Sequence, residues 1–146
     1  MADIDNMASL RQWLRRCPSV AQSDFVGVDF LMDNPDKFAL SSAPSVLRQK
    51  ENIVGRMRLL PVQEQTYYID YRADFGQQTQ QNLDNLALFQ AIHRWIYDRN
   101  NAQDFPPWDG GTVKSIVPTA TPTLMEVAAS TARYRMPVRV TYRVEA

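Results

Sequence analysis

Thr131-Ala-Arg-Tyr-Arg-Met-Pro-Val-Arg-Val-Thr-Tyr-Arg-Val144 alternates two kinds of side chain almost without a break. Tyr134, Met136, Val138, Val140, Tyr142 and Val144 are apolar; Arg133, Arg135, Arg139, Thr141 and Arg143 stand between them. Successive side chains of a strand point to opposite faces, so a period of two predicts a β-strand with one buried face. Four of the five polar positions are arginine, which places Arg133, Arg135, Arg139 and Arg143 on a single side. Pro137 has no N–H to give a neighbouring strand, so the strand is expected either to be an edge or to carry a bulge there.

The same period recurs upstream. Tyr67, Ile69, Tyr71 and Ala73 alternate with Tyr68, Asp70, Arg72 and Asp74. With Val62-Gln-Glu-Gln65 as a turn and Pro61 near its tip or at an unpaired position, residues 53–73 are expected to form a long β-hairpin. Between the two alternating stretches the period changes. Leu88, Phe89, Ile92, Trp95 and Ile96 fall on one face of a helix over about 80–100. The prolines and glycines of Asp104-Phe-Pro-Pro-Trp-Asp-Gly-Gly111 then force a loop, and Val113–Val117 reads as a short strand.

Towards the N-terminus, Met7, Leu10, Trp13, Leu14 and Cys17 predict an amphipathic helix over 6–16, with Asp5 or Asn6 as its cap and Pro18 just beyond its end. Phe25–Met32 and Lys37–Ser41 are strand-like, joined by a turn over Asp33–Asp36; 46–60 reads as a loop that becomes a strand near Ile53. This order predicts one α+β domain over 1–146, with a mostly antiparallel sheet covered by one main helix and a short N-terminal helix.

Lys plus Arg is 16 and Asp plus Glu is 16, a formal net charge of zero. No long-range field draws the chain to nucleic acid or to an anionic membrane, and charge repulsion does not oppose self-association. The start, Met1 to Asn6, is acidic and lacks an apolar run, so no secretory leader is expected. No stretch is apolar enough for a membrane span. Cys17 is the lone cysteine, which excludes an internal disulfide.

The sequence offers little chemistry. One Cys and one His do not complete a zinc-type ligand set, so no metal is expected. His93 sits on the shoulder of the helix stripe, where a packed structural histidine is expected. No serine lies in a G-x-S-x-G turn. Gly110-Gly-Thr-Val-Lys-Ser115 lacks the spacing of a phosphate loop, so neither a cofactor nor a catalytic group is expected. Two contact features remain. The arginine face either meets an acidic neighbour or pairs with cross-strand carboxylates. Phe105 and Trp108 either anchor an interface or tuck beneath the helix.

The second half also carries a succession of motifs: Leu88-Phe-Gln-Ala-Ile-His-Arg-Trp-Ile96, then Phe105-Pro-Pro-Trp-Asp-Gly-Gly111, then Val113-Lys-Ser-Ile-Val117, then Thr131-Ala-Arg-Tyr-Arg-Met-Pro-Val-Arg-Val-Thr-Tyr142. That order resembles the tail-terminator proteins of siphophages and prophages, also called minor capsid or minor tail proteins, best over 64–144. The resemblance implies a structural subunit, not an enzyme. It implies a homo-oligomeric ring, usually a hexamer, that caps the head-proximal end of the tail tube. Its partners would be the tail tube protein and the head connector, in the host cytoplasm during assembly and then in the virion tail. Arg133, Arg135, Arg139, Arg143, Phe105 and Trp108 are the expected interface residues. A different head–tail connector or completion subunit is the near alternative; a small nucleic-acid-binding domain is the distant one.

Overall fold

The computed structural model describes residues 5–23, 25–32, 35–76, 79–128 and 130–145. Along the chain come α1 (Asn6–Leu14), α2 (Pro18–Ala21), β1 (Val26–Val28), β2 (Lys37–Ser42), β3 (Gln49–Glu51), β4 (Met57–Leu59), β5 (Val62–Asp74), α3 (Thr79–Asn101), β6 (Gly111–Pro118), β7 (Thr123–Val127) and β8 (Thr131–Val144). The fold is α+β. The main sheet runs β1-β2-β5-β8-β6, with β7 also paired to β8, and only the short β1–β2 pair is parallel.

The two alternating stretches become the centre of the sheet. β5 and β8 pair antiparallel from Val62↔Arg143 to Asp74↔Thr131 without a shift. Their inward residues meet as Tyr67↔Val138, Ile69↔Met136 and Tyr71↔Tyr134, and all six are buried. Phe38 and Leu40 of β2 and Val113 and Ile116 of β6 extend this apolar face on either side.

Three sequence expectations change. Residues 53–73 do not form one hairpin: β5 begins at Val62, so Val62–Gln65 is strand, and its partners are β2 and β8. The apolar alternation of 67–73 finds its match in 131–144, and that long-range pairing outcompetes the local turn. A smaller hairpin, β3–β4, forms a separate two-stranded sheet. Strand-like Phe25–Met32 contributes only Val26–Val28, while the expected turn at 33–36 lies partly outside the described residues. Finally, β8 is central, not an edge. The Pro137 carbonyl accepts from Thr119 N at 3.1 Å, so its ring nitrogen faces the same side, where β6 ends at Pro118↔Val138 and β7 begins at Thr123↔Arg135. The missing donor therefore falls in the gap between two partner strands. The bulges lie in β6 and β7 instead, at Lys114 and Met125.

Helix α3 covers the apolar face through Asn85, Phe89, Ile92 and Ile96, at helical spacings of four, three and four. The Phe89 ring meets Tyr71 and Tyr134 with centroids 6.0 Å away in each case. Trp95 stands beside this stripe, half-buried, with its ring 4.8 Å from that of Trp13. Helix α1 is capped by Asp5, whose carboxylate accepts from Met7 N and Ala8 N, and it buries Leu10, Trp13 and Leu14. Pro18 starts a further short helix, at the position where its missing N–H costs nothing. Among the described residues no helix is long and apolar enough to cross a membrane.

Asp104 ties the two helical regions together. Its carboxylate accepts from both terminal nitrogens of Arg16 and from Arg99, and its backbone carbonyl accepts from Trp13 Nε1 at 2.9 Å. The hydrogen bond from Arg16 is the largest influence holding this carboxyl below the usual carboxylate range.

Two outcomes follow from this packing. Ile96 is completely buried, so Ile96→Ala should cost about 2–5 kcal/mol in urea unfolding; Trp95→Ala should cost less, because its ring is already partly hydrated. The reverse order would mean that α3 presents a different face. A depressed folded-state pKa at Asp104 adds stability that is complete above the unfolded value of about 3.9 and is lost as pH falls through the folded value. Asp104→Asn should therefore flatten part of the decline in stability below about pH 5, and an acid limb identical to wild type would exclude that role.

Candidate interaction surfaces

The alternation of β8 does put Arg133, Arg135, Arg139 and Arg143 on the sheet face opposite α3, but the four are not equivalent. Asp70 of β5 lies directly across from Arg135, and its side chain is only 2% exposed. Arg135 Nε donates to Asp70 Oδ1 at 2.9 Å and its Nη2 to Oδ2 at 3.1 Å, while Arg133 reaches the same carboxylate through Nε and Nη2. The Arg135 guanidinium also lies 4.2 Å over the Tyr68 ring. The hydrogen bonding of Arg135 to the Asp70 carboxylate is the chief cause holding Arg135 above its ordinary pKa. Next to this cluster, Arg72 Nη1 lies 3.5 Å from the Glu126 carboxylate. Arg133 and Arg135 thus pair with a cross-strand carboxylate within the subunit, the second of the two readings of the arginine face, and are only partly exposed. Arg139 and Arg143 remain exposed and available for contact.

The proline loop is resolved in a similar way. Trp108 is 4% exposed and packs between Tyr67 and Tyr142, with ring centroids 6.1 and 5.7 Å away. Phe105 is half-buried against the same core. Helix α1 fastens this loop: Ser9 Oγ donates to the Pro107 carbonyl at 2.7 Å, and Asn6 Oδ1 accepts from Asp109 N at 2.8 Å. A Cβ on Gly111 would lie 2.4 Å from the Arg143 carbonyl oxygen, so glycine is what lets the loop close onto β8. The Trp108 ring belongs to the core, and Phe105 packs against its edge. Burial is the main cause raising the Tyr67 hydroxyl to about 12.

The most exposed apolar surface lies in 46–60, the stretch expected as a loop that becomes a strand near Ile53. Val46, Leu47, Ile53, Val54, Met57 and Leu59 are all in water, with Ile53 fully and Val54 73% exposed. They sit on and around β3–β4, every residue of which is exposed. Asn52 shapes the tip, its Oδ1 accepting from Val54 N and Arg56 N, with Gly55 at φ +81°. The buried Gln63 side chain anchors the arm: its amide nitrogen donates to the Arg48 and Leu60 carbonyls and its oxygen accepts from Arg48 N. Asn52 and Gly55 flanked by apolar residues were a readable turn signal, masked by the stronger pattern downstream.

The groups with latent chemistry are placed for packing. Cys17 is buried, and burial raises its thiol pKa. His93 is half-buried and meets Tyr97 edge-on, with centroids 4.8 Å apart. It lines an open cleft of about 410 Å³ with Phe89, Arg94, Tyr97 and Pro122. Among the described residues no three His, Cys, Asp or Glu side chains converge as a metal site.

Removing both guanidiniums would strand the Asp70 carboxylate in a dry site. Arg133→Met with Arg135→Met should cost about 3 kcal/mol, the low end for a broken buried pair because both arginines are partly hydrated. Arg139→Glu with Arg143→Glu should leave the unfolding midpoint unchanged. Equal effects of the two double variants would contradict the division of the face.

No family model matches the chain, and no curated protein sequence matches it either.

Proposed function

We propose that this chain is a structural subunit of a phage or prophage tail, one that forms a ring on the head-proximal end of the tail tube, ends tube growth and joins the tail to the head. One observation carries the reading: six apolar side chains held in water on and around a two-stranded arm outside the main sheet. A lone hairpin is marginal in water, and several large apolar side chains exposed on one arm suit a surface that a partner covers. A subunit whose work is assembly needs such a surface, and the zero net charge does not oppose contact between copies. The motif order of 88–142 supplies the kind of assembly.

The mechanism is geometric. One face of the ring matches the tube end and the other does not, so no further tube subunit can add. The head connector then docks on the second face. Exposed Arg139 and Arg143 lie on a sheet face suited to setting encounter rate and salt sensitivity in such docking. The work takes place in the host cytoplasm, and the product remains in the virion tail.

Adding the purified protein to growing tail tubes tests this directly. Electron microscopy should show density at one end only and tubes of uniform, shorter length. Tubes that lengthen as they do without the protein, with no density at either end, would overturn the proposal.

A further inference from the structure

The two faces of the β3–β4 arm differ in kind. Its strands pair as Gln49↔Leu59, Lys50↔Arg58 and Glu51↔Met57. The ladder extends by one pair at each end, since Leu60 N donates to the Arg48 carbonyl and Asn52 N to the Arg56 carbonyl. Side chains alternate between faces along each strand, and directly paired residues share a face. Arg48, Lys50, Arg56 and Arg58 therefore all lie on one side of the arm. Glu51, the only anion in residues 46–60, lies on the other side with Gln49, Met57 and Leu59.

All four cations are exposed, and none has a carboxylate partner among the described residues. Glu145, which lines a cleft with Arg58, accepts from Thr112 instead. The body of the protein treats its arginines differently: Arg16 and Arg99 meet Asp104, Arg133 and Arg135 meet Asp70, and Arg72 meets Glu126. On the arm, Lys50 and Arg58 stand directly opposite each other, a pairing of like charges that disfavours the arm while it is free. Arg48 lies two residues from Lys50 on one strand and Arg56 two residues from Arg58 on the other, a step of about 7 Å along the arm. The result is a band of one sign with nothing on the chain to balance it, and an anionic partner is what would relieve it.

The arm also narrows the kind of anion. Residues 46–60 contain no Phe, Trp or Tyr, so the arm has no ring to sit at a bilayer interface or to stack on the bases of a single strand. The face opposite the cations breaks its apolar pair with Gln49 and Glu51, so it offers no continuous stripe to bury among acyl chains. An acidic protein surface presents carboxylates interspersed with other groups. A nucleic-acid duplex presents phosphates in unbroken rows, and its major groove admits a two-stranded ribbon.

We propose that the face formed by Arg48, Lys50, Arg56 and Arg58 binds the phosphate backbone of duplex DNA without regard to sequence. Each cation displaces a counterion from a phosphate, which supplies the driving force. The neutral chain as a whole exerts no long-range pull, so the contact is confined to the arm. The inference goes beyond the assembly reading and does not rest on it: it uses the arm's cations, and that reading uses its apolar side chains.

The test is fluorescence anisotropy of a labelled duplex of arbitrary sequence, titrated with the full chain at several salt concentrations. On a log–log salt plot wild type should show a slope of about −3.6, four phosphates at about 0.9 each. Lys50→Gln with Arg58→Gln should halve that slope and weaken binding about tenfold or more at low salt. Arg15→Gln with Arg94→Gln removes the same charge from exposed positions off the arm and should change neither affinity nor slope. Both double variants should melt as wild type does. A single strand of the same length should bind more weakly than the duplex. No binding at low salt, or equal losses in the two double variants, would overturn the proposal. Polyglutamate that competes as well as duplex at equal charge would replace DNA with an acidic protein as the partner, and phosphatidylserine vesicles that do so would replace it with a membrane surface. Tube capping is read separately by electron microscopy, so each proposal can fail without the other.

Discussion

The antiparallel pairing of β5 with β8 sets the place of nearly every other element. These strands are separated along the chain by α3, β6 and β7, yet they match over thirteen residues in one register. Register in such a pair is a strong constraint, since a slip by one residue turns a whole apolar set outward. In the observed alignment Tyr67, Ile69 and Tyr71 on one strand and Tyr134, Met136 and Val138 on the other all face the core. Once that alignment exists, α3 has a face to cover, β2 and β6 have edges to join, and α1 has the Trp108 loop to hold in place.

The outer face follows from the same register. Setting Asp70 opposite Arg135 places a carboxylate where it is almost dry, and two guanidiniums converge on it. Burying a charge stabilises little by comparison with an apolar pair, but removing its partners is costly. The cluster therefore acts as a check on register: sliding β8 would separate Asp70 from Arg135 and also expose Ile69 and Met136. Two of the four arginines in the alternating strand thus serve the fold, and two remain for the surface.

The parts legible from sequence were those with long, regular patterns. The stripe of α3 and the alternations of β5 and β8 span many residues, so no single exception obscures them. Pairing was not legible, because hydrophobic alternation identifies a strand's face and not its neighbour; hence 53–73 reads as a hairpin although β5 pairs with a strand far along the chain. Pro137 misleads for a related reason. It excludes a donor on one side, and only the topology shows that β6 has ended there and β7 has not begun. Trp108 and Phe105 read equally well as anchor or core, since burial of a loop ring depends on Gly111 allowing close approach. The arm at 46–60 was hidden because its strands are three residues each, below the length at which alternation becomes visible.

That arm joins the energetics of the fold to its proposed use. It shares no ladder with the main sheet and is held at its base by Gln63, so its strands gain little from the core. Six exposed apolar side chains are unfavourable in the free subunit and become favourable only when a partner covers them. An assembly subunit benefits from this arrangement. A contact made through so small an arm would be weak between two free copies. Around a closed ring, or on a tube end that held several copies together, each contact would form at high effective concentration and the same weak interaction would suffice. Weak pairwise contact with strong collective contact would keep free subunits from polymerising while allowing the ring to form where a tube presents its end.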